Sequence, residues 1–202
     1  MRIGALLITC VVAALSTGCG SSKKASAPPT TASSDQTTTA ASPSVLQAEA
    51  NSAATGDIPD NQVFITFHDS SAAYSMKYPE GWAQRGNGSQ VTFRDKNNIV
   101  RVVVGSSTAQ TVAAIRSDLG RLHGVHVQSG PQPITINGTR AFKVVYSTAS
   151  APNPVTGKRV TLVVDRYYVP RTGKEAIVDL GTPVGVDNVD AYRLMIESFR
   201  WQ

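Results

Sequence analysis

From Val63 onward, short runs of alternating apolar and polar residues predict β-strands with one buried face. These runs cover Val63–Phe67, Tyr74–Tyr78, Gln90–Arg94, Ile134–Ile136, Arg140–Ser147, Lys158–Val169 and Glu175–Leu180. Ile99–Val104 is almost continuously apolar, which predicts a central strand covered on both faces. Tyr167 and Tyr168 point to opposite faces of their strand, and we expect one ring in the core and the other exposed. Asn137-Gly138 and Pro170–Gly173 separate neighbouring runs and predict two hairpins.

Two segments have the 3.6-residue period of amphipathic helices. The first is predicted over about Thr108–Leu122, with a capping box at Ser107–Gln110 and Gly124 as its stop. The second is predicted over about Asn188–Phe199, capped by Asp187. Because hairpins dominate and helices occur only after the fourth strand and at the end, the order of elements predicts an α+β fold. We expect one antiparallel sheet with helices packed on it.

The first residues form a separate segment that is typical of an exported protein. Arg2, an apolar run over Ile3–Leu15 and small residues before Cys19 indicate a secretory signal that is too short to span a bilayer. Cys19 in this setting resembles the lipobox of bacterial lipoproteins, and this implies a signal peptide over 1–18. It also implies that Cys19 carries acyl chains such as palmitate, which would hold the chain on the extracytoplasmic face of the cell membrane. Leu15 stands four residues before Cys19, whereas most lipoboxes have their leucine three residues before the cysteine. An ordinary secretory signal therefore remains the alternative.

The composition changes sharply between the signal and the strands. Residues 20–59 are rich in Ser, Thr, Ala and Pro, and every Trp, Tyr and Phe lies from Phe64 onward. Such a segment cannot bury enough apolar surface to offset its ordering entropy. We therefore expect a disordered tether over 19–59 and one folded domain over 60–202.

Charge and cysteine content exclude several classes of function. The net charge is +5, the basic residues form no run, and an exported protein does not meet nucleic acid. The charge indicates either attraction to an anionic lipid surface or mixed charge for solubility. Cys10 lies in the removed signal and Cys19 is the anchor. We therefore expect no disulfide, no thiolate metal site and no cofactor.

One phrase resembles a known superfamily. YSMKYPEGW at Tyr74–Trp82 is similar to the aromatic-Ser-x-x-Tyr-Pro-x-Gly-Trp phrase of the PsbP-like superfamily, and Ser198-Phe199 stand where its last helix ends. The order of elements is similar over about Val63–Gln202. The superfamily includes photosystem II subunits, a Ran-binding import factor and LpqN-type lipoproteins, and the lipobox points to the last branch. The resemblance implies an antiparallel sheet between helices, an α/β/α sandwich, in an accessory binding protein that has no catalytic motif.

Isolated histidines and carboxylates do not form a recognisable catalytic or metal site. His123 and His126 are three residues apart, but Gly124 and the predicted helix end break that spacing, which favours exposed turn histidines. His68-Asp69 has no indicated nucleophile. Asp95–Asn98 lacks the glycine and glutamate of a calcium loop, so we expect a turn.

Charged residues inside apolar strands are the candidate binding residues. They are Arg101, Lys143, Asp165, Arg166 and Asp179. If the second hairpin pairs Val169 with Lys174, Arg166 lies opposite Ile177 and diagonal to Asp179. The charges would form either a polar patch that orients a ligand in a groove, or an edge or solvent face with ion pairs.

Two connections are the predicted contact surface. Ala149–Gly157 is irregular and contains two prolines, and the turn Arg171–Lys174 adds the candidate binding residues Arg171 and Lys174. These observations favour a non-enzymatic accessory or adaptor module of the cell envelope that binds a protein partner. The alternative is a carrier or sensor of a small amphiphile, such as a lipid or cell-wall precursor. A hydrolase is a third hypothesis, which would need a serine or aspartate cluster near the histidines.

Overall fold

The computed structural model describes residues 55–106, 111–153 and 155–202. All of them belong to one compact unit, Ser42–Gln202. The predicted signal peptide, Cys19 and most of the predicted tether lie outside the described residues. Within the described ranges, no helix is long and apolar enough to cross a membrane.

The described chain forms ten strands and two helices. The strands are β1 (Phe64–Asp69), β2 (Tyr74–Pro79), β3 (Ala83–Asn87), β4 (Gln90–Asp95), β5 (Asn98–Ser106), β6 (Val125–Ile136), β7 (Thr139–Ala149), β8 (Thr161–Arg171), β9 (Lys174–Pro183) and β10 (Arg200–Trp201). The helices are α1 (Val112–Gly120) and α2 (Val189–Ser198). The predicted α+β class is confirmed. The strands are divided between a small sheet, β1-β2-β10, and a large sheet, β3-β4-β5-β9-β8-β7-β6, and all pairs are antiparallel.

Three strands differ from the sequence prediction. All five residues of β3 are exposed, so no apolar alternation marks it. Strand β6 is an edge strand that begins at Val125, nine residues before the predicted start, because register shifts on both sides of Ser129 interrupt its alternation. The two residues of β10 are too few to give a pattern.

Both helices begin later than predicted. The Thr111 side chain accepts a hydrogen bond from the Ala114 amide at 3.1 Å and caps α1. The predicted capping box at Ser107–Gln110 lies outside the described residues. Helix α1 ends at Gly120, before the predicted stop. Asn188 occupies the N-cap position of α2, and its side chain points inward instead of capping.

Both faces of the large sheet are buried. The small sheet and α2 cover one face, with a core that includes Tyr74, Met76 and Phe199, and α1 covers the other through Ile115 and Leu119. Tyr167 and Tyr168 are therefore both buried, at 6% and 1% exposure. The prediction that one ring is exposed is wrong, because the sheet has no open central face.

A docked segment precedes the first strand. The Gly56 carbonyl accepts hydrogen bonds from the side-chain amides of Asn98 and Asn188, and the Ile58 amide donates to Asn188 Oδ1 at 2.8 Å. Gly56 is buried, as are both asparagines. Residues that the sequence analysis assigns to the tether therefore contact the domain.

Candidate functional site

The register of the central strands aligns three of the predicted binding residues. Arg101 on β5 faces Asp179 on β9, and Asp179 faces Arg166 on β8. The predicted register placed Arg166 opposite Ile177, and this was wrong by two residues. Arg171 pairs with Lys174 instead, because the hairpin closes through Thr172 and Gly173, with Gly173 at φ +72°.

These three side chains form an ionic network in which Arg166 and Asp179 are buried and Arg101 is partly exposed. Asp179 Oδ1 accepts from Arg166 Nε at 2.7 Å, and Asp179 Oδ2 accepts from Arg166 Nη2 at 3.0 Å and from Arg101 Nη2 at 2.6 Å. Arg166 Nη1 donates to Asp118 of α1 at 3.2 Å, and the Tyr168 hydroxyl donates to the same oxygen at 2.8 Å. Arg166 and Asp179 are 2% and 3% exposed. The network therefore links the sheet to α1 and does not lie on a solvent face.

The surroundings hold Arg166 and Tyr146 each in one charge state. Burial alone would lower the pKa of Arg166, but its hydrogen bonds to Asp179 and the Asp179 charge outweigh burial and raise it. Burial, with the charge of Asp179, raises the pKa of Tyr146 to about 12. Arg166 is thus charged and Tyr146 protonated at neutral pH.

A cavity of about 390 Å³ opens above this network. Its floor is the sheet face that carries the network, together with Ile99, Val164 and Tyr146. The chain after α1 forms one wall and residues 149–153 form another. Arg94, Lys96 and Asn97, in and next to the turn between β4 and β5, complete its lining. The volume lies within the usual range of small-ligand sites.

The cavity lining is both cationic and apolar. Its basic groups are Arg94, Lys96, Arg101, Arg166 and His123, whereas Asp179 is the single carboxylate among the described residues that line it. Two guanidinium groups already contact that carboxylate. The Arg101 side chain is 35% exposed. This combination suits a molecule that has one anionic group and an apolar body.

The remaining predicted binding residues lie elsewhere. Lys143 is on the opposite face of the sheet, where its Nζ lies 2.7 Å from Asp165 and 5.4 Å from the centre of the Tyr167 ring. Arg171 donates to the Gln202 carbonyl and lies 5.8 Å from the Trp201 ring. At about 3.3 Å per residue, Arg171 and Lys174 are roughly 33 Å from residues 149–153. The two predicted contact segments therefore lie at opposite ends of the sheet.

The three histidines do not share a site. His68 lies beside Gln202 at 2.9 Å, His126 is on the edge strand β6, and only His123 lines the cavity. Ser150, which also lines it, donates to the Ala151 carbonyl and accepts from the Val160 amide. Across the described ranges, no three His, Cys, Asp or Glu residues lie close enough together to hold a metal ion. The hydrolase hypothesis receives no support from this arrangement.

Sequence reasoning missed Tyr146, Asp118 and the apolar floor residues. Val164 and Tyr146 are cross-strand partners, and within its own strand each has the sequence pattern of an ordinary core residue. Asp118 lies 48 residues before Arg166, and no local pattern signals their contact. Only the strand register and the docking of α1 bring these residues together.

The comparisons with known proteins concern the fold. No family model and no curated protein matches this sequence. Solved structures that are similar include PsbP of Synechocystis, at 14% identity over 73% of this chain and 98% of that chain, with a TM-score of 0.48. LpqN of Mycobacterium tuberculosis, described as involved in cell envelope biogenesis, is similar at 15% identity over 69% of this chain and 91% of that one, with a TM-score of 0.40.

A protein of Bacteroides thetaiotaomicron is similar at 14% identity over 68% of this chain, with a TM-score of 0.44. This chain spans 48% of its length. The expected likeness to PsbP-like proteins is met by two of these structures, PsbP and LpqN, at TM-scores below 0.5. It assigns no activity to this chain.

Proposed function

We propose that this protein is a non-enzymatic binding module of the cell envelope, anchored to the membrane through acyl chains on Cys19, and that its cavity binds an amphiphile with an anionic head group. The observation that carries this proposal is the cavity itself. It places an accessible guanidinium beside an apolar floor, in a volume of about 390 Å³. The cavity supports the alternative of a carrier or sensor of a small amphiphile.

Arg101 is the group that would bind the head group. Arg166 already donates to both oxygens of Asp179 and to Asp118, and it is almost completely buried. Arg101 contacts only one oxygen of Asp179, through Nε and Nη2, and about a third of its side chain is exposed. A guanidinium has five N–H donors in a planar fork, so Arg101 can bind a phosphate or carboxylate while it keeps Asp179.

The apolar part of the ligand would lie along the floor and the helix-side wall. Ile99 projects into the cavity from β5, and Leu162 and Val164 project from β8, whereas Leu122 and Val125 line it from the chain after α1. Burying an alkyl chain here releases water from both surfaces, at roughly 0.8 kcal/mol per methylene.

The chemistry of the lining supports binding over catalysis. The carboxylate of Asp179 is held between two guanidinium groups, and burial raises the pKa of Tyr146, the tyrosine of the lining, to about 12. Neither group is suited to act as a general base at neutral pH.

A second candidate is the protein adaptor that the sequence analysis favours. Val155 is 89% exposed within the predicted contact segment 149–157, and such a side chain suits an apolar protein contact. In-cell crosslinking from position 155, followed by identification of the adducts, tests this candidate. A dominant protein adduct would support it, and adducts that contain only lipid would contradict it.

The cavity proposal is tested by mass spectrometry of the chain purified from its own envelope under non-denaturing conditions. We expect a co-purified anionic amphiphile that is depleted in Arg101→Gln and retained in Arg140→Gln, which removes an exposed charge outside the cavity. An unloaded wild-type chain that also fails to take up added dodecyl phosphate would contradict the proposal.

A further inference from the structure

One end of the large sheet combines the cavity rim with exposed aliphatic and basic residues. Strand β7 ends there at Ala149, β8 begins at Thr161 and β9 ends at Pro183. The Ser150 amide donates to the Val160 carbonyl at 2.8 Å, and the Val184 amide donates to the Thr161 carbonyl at 3.0 Å, so these flanking residues stay close to the strands. We name this surface the mouth end. Its members are Lys96, Val155, Lys158, Arg159, Val160 and Val184.

The mouth end exposes more apolar surface than a solvated loop region requires. Val155 is 89% exposed, Val184 is 62% exposed and Val160 is 38% exposed. Isolated exposed aliphatic residues are ordinary, but three in one region indicate a contact surface. Val160 directly precedes β8 and Val184 directly follows β9, and both strands line the cavity, so whatever covers these two valines lies beside the cavity rim.

The charges of this end favour an anionic partner. Lys96, Lys158 and Arg159 are exposed, and Arg94 stands next to the same turn. Acidic residues are also present there: Asp57, Asp95 and Asp187. Asp57 and Asp95 are partly buried, whereas the side chain of Asp187 accepts from the Val189 amide at 3.3 Å. Four basic residues therefore stand against three carboxylates, two of which are partly buried, so the exposed charge at this end is mainly positive.

The chain enters the domain at the same end. Asn98, which holds the Gly56 carbonyl, directly follows Asn97 of the cavity lining. The 54 residues that precede Thr55 therefore join the domain beside the mouth end. If they behave as a flexible coil, the 36 residues from Cys19 to Ala54 have a root-mean-square reach of roughly 35 Å. An anchor at Cys19 would keep a bilayer within that distance.

We infer that the mouth end docks on the surface of an anionic bilayer and turns the cavity towards the lipid. This inference rests on the proposed anchorage and deepens the proposed cavity function, because it gives the amphiphile a direct route between membrane and cavity. The valines partition into the interfacial region, and the basic side chains contact lipid phosphates. The tether supplies the high effective concentration that makes such a weak contact sufficient.

Single fluorescent labels on the lipidated full-length protein test the orientation. The mature chain has only Cys19, which is acylated, so an introduced cysteine is the one free thiol. Ala151→Cys places an environment-sensitive dye beside the cavity rim, and Thr172→Cys places it at the opposite end. In vesicles with about one-third anionic lipid, we expect a blue shift and quenching by brominated lipid for the label at position 151 only. In zwitterionic vesicles, we expect neither label to respond.

A matched pair of charge variants tests the chemistry. Val155→Ser with Lys158→Gln should lower the docking equilibrium constant about fivefold or more, since one basic residue near an anionic surface is worth about that factor. Lys77→Gln with Arg140→Gln, which alters exposed charges elsewhere, should leave it unchanged.

A label at position 151 that stays in water, or equal responses from both labels, would overturn the inference. Binding of dodecyl phosphate to the same preparation is measured separately. Intact binding without docking would refute only the orientation, and docking without binding would refute only the cavity function. A chain that does not remain with the vesicles would refute the anchor.

Discussion

Arg166 and Asp179 lie directly opposite each other on β8 and β9, joined by two hydrogen bonds of 2.7 and 3.0 Å beneath α1. Arg101 on the next strand contacts the same carboxylate at 2.6 Å. The pair thus connects three strands and, through Asp118, the helix that covers them. It also fixes the position of Arg101, the residue that the proposed function assigns to the ligand.

Asp179→Asn should lower the free energy of unfolding by about 3–5 kcal/mol, because it removes the buried counter-charge of Arg166 and leaves that guanidinium with Asp118 alone, at 3.2 Å. Lys143→Gln is the matched control. It breaks a half-exposed ion pair on the opposite face and should cost less than about 1 kcal/mol. Urea unfolding of both variants measures the difference. Equal losses of unfolding free energy would show that the buried ion pair contributes no more to stability than the partly exposed one.

Arg101→Gln should weaken binding of dodecyl phosphate, measured below its critical micelle concentration, by roughly 10- to 100-fold. A hydrogen bond to a charged group contributes about 1.5–3 kcal/mol. Binding of an uncharged dodecyl glycoside should change little, because that ligand has no anionic group for Arg101 to bind. A similar loss for both ligands would mean that the substitution distorts the whole cavity.

Gly181→Ala should destabilise the domain by about 1–3 kcal/mol through overpacking. A Cβ atom at this position would lie 2.8 Å from Ile99 Cγ2 and 3.2 Å from Val164 Cγ2. Both side chains line the cavity, so the variant should also bind dodecyl phosphate more weakly. Gly105→Ala on β5 is the control, since nothing lies within 4 Å of an added Cβ there. A Gly181→Ala protein as stable as this control would contradict the packing described for the floor.

Asn188→Ala should cost about 1–3 kcal/mol, because it leaves the Ile58 amide without its acceptor. We also expect faster hydrogen exchange at the Ile58 amide and earlier proteolytic cleavage near Gly56. Asn61→Ala, at an exposed position, should change neither. Unchanged exchange at Ile58 in Asn188→Ala would show that other contacts hold the segment.

Asp69 should make the domain sensitive to acid. Hydrogen bonds from the Ser71 hydroxyl at 2.6 Å and the Ala72 amide at 2.8 Å lower the pKa of Asp69 below its usual value. The folded state therefore binds this proton less readily than the unfolded state. The stabilisation is complete above the unfolded pKa of about 4 and is lost as the pH falls through the lower folded pKa.

Asp69→Asn is the test of that pH dependence. The stability difference between wild type and variant, from urea unfolding between pH 6 and pH 2, should shrink below about pH 4. A difference that stays constant over this range would show that the carboxylate charge is not what the hydrogen bonds stabilise.

The sequence predicted the elements better than their arrangement. Alternation and helical period are local, so most strands and both helices were found close to their observed positions. The register of β8 and β9 depends on where the hairpin closes, and a shift of two residues changed the partner of Arg166 from Ile177 to Asp179. Both rings at Tyr167-Tyr168 are buried because two separate cores cover the sheet, which no single strand reveals.

The candidate site was predicted only in part. Arg101, Arg166 and Asp179 stand out as charges in apolar strands, and the structure unites them. Lys143 stands out for the same reason, yet it lies on the other face. No sequence pattern marks Tyr146 or Asp118 as part of the site, because they join it through contacts with residues that are distant in the chain.

The most direct test of the cavity proposal is a two-dimensional amide NMR titration of the full-length protein with dodecyl phosphate. We expect saturable shifts that concentrate at Arg101, Tyr146, Ser150 and Val164, and that are strongly reduced in Arg101→Gln. Shifts that spread over the surface without saturation, or that centre on the opposite face around Lys143, would contradict the central claim.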